Sequence, residues 1–313
     1  MGMAGEHLYT HRVTRDGESI RSILRKELGM SRQMLIRLKR SGEVLQNGQP
    51  AYLNALAVSG DVLTIVLREE KTPTVDPEDI PLNIAFEDDY LTVVNKPPGL
   101  VVHPTKGYMT GTLAHALAFH WQTQGVPCVF RPVHRLDRDT SGLVIIAKNP
   151  HVQAVLTSQQ HSGEWEKYYL AIVRGEIAAT EGSISAPIAR VGNGSRARAV
   201  APEGRPALTL WQRLELFSGA SLVRVRLLTG RTHQIRVHLA HIGHPVLGDD
   251  VYGGATPLIA RQALHASEIA FTHPATAERV KVTAPLPADI SALLVALSGG
   301  ILGVTAADKR RED

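Results

Sequence analysis

The chain has 313 residues, more than one compact domain usually needs, with an ordinary 43 % of hydrophobic residues but only 5 % aromatics. A net charge of +4 permits a nucleic-acid partner without demanding one, and the single cysteine, Cys128, excludes an intramolecular disulfide and a thiolate zinc site. No apolar run approaches the ~20 residues that cross a bilayer and Met1–Thr10 carries no secretory pattern, so a soluble, cytoplasmic protein with no membrane partner is expected.

Residues 1–11 read as a tail and 12–68 as a separate unit. Ser19 is placed to cap a helix whose apolar stripe is Ile20, Ile23, Leu24 and Leu28, ended by Gly29. Ser31 caps a second helix with Leu35 and Leu38 inward, ended by Gly42. Val44-Leu45-Gln46 then enters an Asn47-Gly48 turn, and Val62–Leu67 forms a last strand. Nine basic residues stand between Arg12 and Arg40 against Asp16, Glu18 and Glu27, a local +6 that exceeds the whole chain's charge. A basic two-helix face is the footprint of a phosphate-backbone binder, although a merely solvated face is the alternative. The layout resembles the αL RNA-binding motif shared with a small-subunit ribosomal protein. That resemblance implies RNA contacts from Arg32, Arg37, Lys39 and Arg40.

Residues 69–82, where Pro73, Pro77 and Pro81 alternate with acids, read as a linker. A second domain is expected over 83–297. Its strands are read at 91–95, 143–147, 167–173 and 221–228, and its helices at 112–120, 150–160 and 232–242. They do not alternate regularly, which favours α+β over a doubly wound sheet. Residues 298–313 read as a frayed C-terminal tail.

Three segments carry candidate chemistry. In His134-Arg135-Leu136-Asp137-Arg138-Asp139-Thr140-Ser141-Gly142, a loop carboxylate is flanked by arginines before an apolar run. A turn-capping role is the default for such an Asp. A cation beside a desolvated carboxylate would keep it ionised and make it a competent nucleophile. In Glu166–Gly175, alternation puts Lys167 and Tyr169 on one face and Tyr168 on the other. Either tyrosine is by default structural, but Tyr169 is placed to present its ring to a planar substrate. In Leu228–Leu239, Arg236 lies beside the apolar stripe of Ile235, Leu239 and Ile242, where a buried arginine must find an anion; Asp137 would satisfy it. His233, His238, His241 and His244 invite a metal reading. Gly243-His244-Pro245 breaks the helix and no thiolate or paired acid joins them, so no metal is expected.

In this order the three segments resemble the RluA family of pseudouridine synthases. So do Asn95-Lys96-Pro97-Pro98-Gly99-Leu100-Val101-Val102-His103-Pro104, the run Gly243–Asp249 with Tyr252-Gly253, and Leu264-His265-Ala266 with Phe271, His273 and Pro274. The resemblance spans roughly residues 82–287. It implies a mixed, mainly antiparallel sheet with a central catalytic cleft, beside a small N-terminal α/β RNA-binding domain. It implies isomerisation of uridine to pseudouridine, with Asp137 as the essential aspartate, Tyr169 lining the uracil pocket and Arg236 pairing with Asp137. Tyr169 would also assist the final deprotonation. Arg135 would displace the target base, with His134 beside it at the RNA surface. The reaction moves no electrons between partners, so no cofactor is expected, and a monomer is the default. Large-subunit ribosomal RNA is the expected substrate, and transfer RNA the alternative. Two rivals stay open. One is an RNA-binding ribosome-assembly factor. The other is a hydrolase, which lacks both a metal cluster and a nucleophile-elbow serine. The Gly- and Arg-rich stretch 190–205 fits the family pattern only loosely.

Overall fold

The computed structural model describes residues 6–30, 32–68, 75–126, 129–192 and 197–299. The first elements are β1 (Glu6–Arg12), β2 (Glu18–Ser19), α1 (Ile20–Lys26), α2 (Arg32–Ser41), β3 (Glu43–Gln46), β4 (Gln49–Pro50), β5 (Leu56–Ala57) and β6 (Val62–Arg68). Ser19 caps α1 by accepting from the Ser22 amide. Ser31, the expected cap of α2, lies outside the described residues. Asn47 and Gly48 both take positive φ, 53° and 81°, as a tight hairpin requires. Ile20, Ile23, Leu24, Leu35, Leu38, Leu63 and Ile65 form one buried core. Residues 6–12 depart from the expected tail: β1 pairs with β6 along its length, Tyr9 opposite Ile65. Its polar sequence, EHLYTHR, suits an edge strand of the order β1-β6-β3-β4 and hides it from a periodicity search.

The larger region begins with β7 (Ile84–Glu87), β8 (Leu91–Lys96), α3 (Leu113–Thr123), β9 (Arg131–Pro132), β10 (Ser141–Ala147), α4 (Pro150–Ser162) and β11 (Glu166–Arg174). It continues with β12 (Glu181–Ser185), β13 (Ile188–Arg190), β14 (Arg198–Val200), β15 (Leu208–Phe217), β16 (Ala220–Leu227), α5 (Gln234–His241), β17 (Leu264–Thr272), β18 (Arg279–Thr283) and α6 (Ala288–Ser298). The expected α+β class holds. The main sheet runs β12-β15-β16-β11-β17-β10-β8-β7, with β18 on β17 and β9 on β10. Among the described residues its pairings are antiparallel except β10 with β17.

All seven residues of β10 are buried, which explains its unbroken apolar run. On one side Val94, Val144 and Ile146 meet Leu113, Leu117 and Trp121 of α3. On the other, Val93, Leu143 and Ile145 share a core with Val152 and Leu156 of α4 and with Trp165. Gly142, Ala266 and Tyr169 lie in one row across three strands. Gly142 has φ +111°, and a Cβ there would collide with the Ala266 backbone, so only glycine lets β10 and β17 approach at this point. The row sits immediately after the 134–140 loop. Among the described residues no helix is long and apolar enough to cross a membrane.

Candidate active site

The 134–140 loop is held by donors reaching its backbone from three directions. Thr140 N–H bonds the Asp137 carbonyl at 3.1 Å, closing the turn. The Lys96 ammonium donates to the carbonyls of Arg138 and Pro97 at 2.9 and 2.8 Å. Arg261 Nη1 donates to the Asp139 carbonyl at 3.0 Å, while its Nε and Nη2 grip Asp289 of α6. Gln262 donates to Thr140 Oγ1 at 3.1 Å, and Ser141 Oγ meets His265 Nδ1 at 3.0 Å. The hydroxyls of Thr140 and Ser141 are thus tied to their neighbours, and Lys96 and Arg261 add bonds to the loop's backbone. Burial pulls the Lys96 ammonium down to about 7 against the charges of Asp139 and Asp137.

Asp137 is left with its side chain about a quarter exposed. Its counter-ion is Arg236, whose Nη1 lies 3.1 Å from Oδ2. Arg236 is itself buried on α5. There Nε and Nη2 make a two-pronged contact with fully buried Asp249, at 2.6 and 2.8 Å. Burial opposes the arginine's charge. Its hydrogen bonds to Asp249 and the charge of Asp137 outweigh it, so the guanidinium is held above its ordinary range. Tyr252 lies beneath it, ring centre 5.1 Å away. The loop arginines play other parts. Arg138 turns outward to Asp139 and to the Tyr108 hydroxyl, and does not pair with Asp137. Arg135 is exposed, near enough to His103 to disfavour that ring's protonation once burial has done so.

Tyr169 sits on the inner side of β11, only 4 % exposed. Burial, and then the charge of Asp137, push its phenol above the ordinary range. A phenol so placed is protonated at neutral pH. Tyr168 points to the other face, under Arg224 at 3.9 Å, as the alternation predicts. His134 is corrected. Its ring is buried edge-on against Trp165, and Nε2 accepts from the Ile145 amide at 3.2 Å. A side chain spent inside the sheet cannot meet RNA.

Sequence reasoning missed Asp249, Tyr252 and the use made of His233. His233 starts α5 with φ +57°, a left-handed backbone that costs a non-glycine residue about 1–3 kcal/mol. Gln234 fixes that turn by accepting from Thr229 Oγ1 and Arg231 N–H and donating to Leu208 and Thr209. His233 Nδ1 lies 2.7 Å from the Tyr252 hydroxyl, and Nε2 lies 3.9 Å from Asp137 Oδ2. His238 is spent on Thr209 and the Ala186 carbonyl, and His244 on the Arg174 carbonyl. The motifs around residues 233 and 249 marked these positions, but only long-range geometry gives them a role. In the basic unit, Arg32 and Lys39 are exposed, while the side chains of Arg37 and Arg40 lie outside those described.

A fixed carboxylate paired with a buried arginine accords with comparisons to known proteins. The family model for RNA pseudouridylate synthases matches residues 90–241. The chain is 39 % identical over 282 residues to the uncharacterised RNA pseudouridine synthase YhcT of Bacillus subtilis, covering 89 % of this chain and 93 % of that one. It is 40 % identical to the ribosomal large subunit pseudouridine synthase D of Haemophilus influenzae, over 78 % of this chain and 80 % of that one. The solved human RNA pseudouridylate synthase domain containing 1 superposes with a TM-score of 0.55 at 30 % identity, covering 71 % of this chain and 96 % of that one. The chain belongs to the RluA family and is an RNA pseudouridine synthase, an isomerase.

Proposed function

We propose that Asp137 is the carboxylate that opens the glycosidic bond of a target uridine, and that large-subunit ribosomal RNA carries that uridine. The observation that carries the first part is the Asp137–Arg236–Asp249 chain, which fixes a charged carboxylate at 3.1 Å from a buried guanidinium. In the reaction the N1–C1′ bond breaks, the uracil turns, and a C5–C1′ bond forms. A proton leaves C5 and N1 gains one, so atoms and electrons balance without a redox partner. Asp137 takes part by attack on either the sugar or the base, and the bond it forms breaks again before the product leaves, returning the free carboxylate. Arg236 pairs with Oδ2 at 3.1 Å and holds the carboxylate in place, and Tyr169 supplies an apolar wall beside the uracil. Arg135, exposed at the loop, fills the space left by the target base, offsetting the few kcal/mol that unstacking costs.

The basic residues of 12–68, among them Arg32 and Lys39, form a unit that grips the phosphate backbone of the same RNA, with 69–82 as its linker. Arg37 and Arg40 belong to this reading by sequence. The ribosomal assignment is supported by the names of relatives at 37–40 % identity, the ribosomal large subunit pseudouridine synthases D of Xanthomonas campestris and Haemophilus species. The enzyme works in the cytoplasm as a monomer. Mapping pseudouridines in total RNA from cells with and without the gene tests the assignment. Loss of specific sites in large-subunit ribosomal RNA is expected; loss confined to transfer RNA overturns it.

A further inference from the structure

Two side chains approach one oxygen of Asp137. Arg236 Nη1 stands 3.1 Å from Oδ2 and His233 Nε2 stands 3.9 Å from the same atom. Among the described residues neither contact falls on Oδ1. The other imidazole nitrogen meets Tyr252. The Tyr252 hydroxyl accepts the Arg198 backbone N–H at 2.9 Å, and its other contact is His233 Nδ1 at 2.7 Å. With the hydroxyl proton given to Nδ1, the imidazole proton sits on Nε2, facing Asp137. The ring stands edge-on to Tyr252 at 5.7 Å, and its backbone is held in the left-handed region. A strained residue, fixed at one nitrogen and aimed with the other at the reacting carboxylate, is more than a helix cap; indeed its side chain caps nothing.

We propose that His233 is a positioning residue for the isomerisation: its neutral Nε2–H, together with Arg236 Nη1, holds Asp137 Oδ2 and leaves Oδ1 as the oxygen that meets the nucleotide. The inference rests on the reading of Asp137 as the catalytic carboxylate. A 3.9 Å approach closes to a hydrogen bond when RNA displaces water. Neutrality is part of the device. An imidazolium would set a second full positive charge against Asp137 and lower its nucleophilicity. Burial keeps the ring neutral, aided by the repulsion of Arg236 and Arg198 and opposed by Asp137 and Asp249. Tyr252 faces it from the 249–254 turn. Activity is therefore expected to fall as pH drops through the depressed histidine value, below the usual 6.5.

The test uses the full-length enzyme in excess over an RNA transcript that it modifies. Single-turnover rates are followed from about pH 5 to 8, with RNA affinity and thermal unfolding measured in parallel. H233A is expected to slow the step about 10- to 100-fold with affinity unchanged. H233Q, whose amide can stand where Nε2 stood, is expected to recover most of the rate and to lose the histidine acid limb. Y252F keeps the imidazole but removes the bond to Nδ1, so its acid limb is expected to move to higher pH. Wild-type rates in H233A, or an unmoved acid limb in H233Q and Y252F, overturn the proposal. D137N separates the two levels. If it is inactive while H233A is normal, only this inference falls; if it keeps full activity, the underlying reading falls first.

Discussion

The catalytic loop and the basic N-terminal unit solve opposite problems with the same residue types. Around the loop, Lys96 and Arg236 are buried and Arg261 is partly buried, and their donors reach named oxygens. In the N-terminal unit, Arg21, Arg25, Arg32 and Lys39 are exposed on two helices over a separate core. Buried cations fix geometry, because their desolvation is tolerable only when every partner is in place. Exposed cations give screened, sequence-independent attraction and little rigidity. The difference is what the proposed division, chemistry in one region and grip in the other, rests on.

The largest effect should follow from breaking the buried side. Asp249→Ala leaves Arg236 without its two-pronged partner, and losing one member of such a pair costs about 3–5 kcal/mol. Urea unfolding should show that loss, and isomerisation should vanish with it. A fall within error of zero would mean that Arg236 is held by Asp137 alone. The pairing of Asp137 with Arg236 was legible in the sequence, because an arginine beside an apolar stripe must find an anion. Asp249 was not: a lone Asp after a Gly-His-Pro turn reads as a turn cap until the fold brings α5 beside it. The same limit hid β15, whose ladder with β16 shifts register between Arg213 and Glu215, and β17, which carries Ser267 and Glu268 mid-strand. The helix read from its cap and stripe, α1, began where expected because those signals are local.

A network away from the site gives a control of intermediate size. Glu87 accepts from Thr92 and Trp121, contacts His120 at 2.7 Å and pairs with Lys148 at 3.0 Å. Burial opposes its charge, but the bonds from His120, Lys148 and Thr92 hold it at about 2, from an ordinary 4.5. Its folded value is depressed. Its contribution, about 2–3 kcal/mol, is therefore complete above pH 4.5 and lost as pH falls toward 2. Glu87→Gln should flatten stability against pH in that window while isomerisation at neutral pH stays near wild type. A steep loss of catalysis would show that buried polar networks in this sheet serve the site more widely than the comparison allows.

The smallest effect should come from the exposed side. Replacing Arg32 and Lys39 by alanine should weaken RNA binding about three- to tenfold. It should also make the salt dependence shallower, by about one log unit per log unit of salt for each phosphate that is no longer neutralised. The single-turnover rate at saturating RNA should be unchanged. A reduced rate with unchanged affinity would reverse the roles assigned to the two regions.

The central claim is tested most directly by Asp137→Asn, an isosteric change that removes the charge and leaves the loop's backbone bonds from Lys96, Arg261 and Thr140 in place. Pseudouridine formation should be undetectable in single turnover, with RNA affinity within about twofold of wild type. Pseudouridine formed at the wild-type rate by that variant would contradict the account.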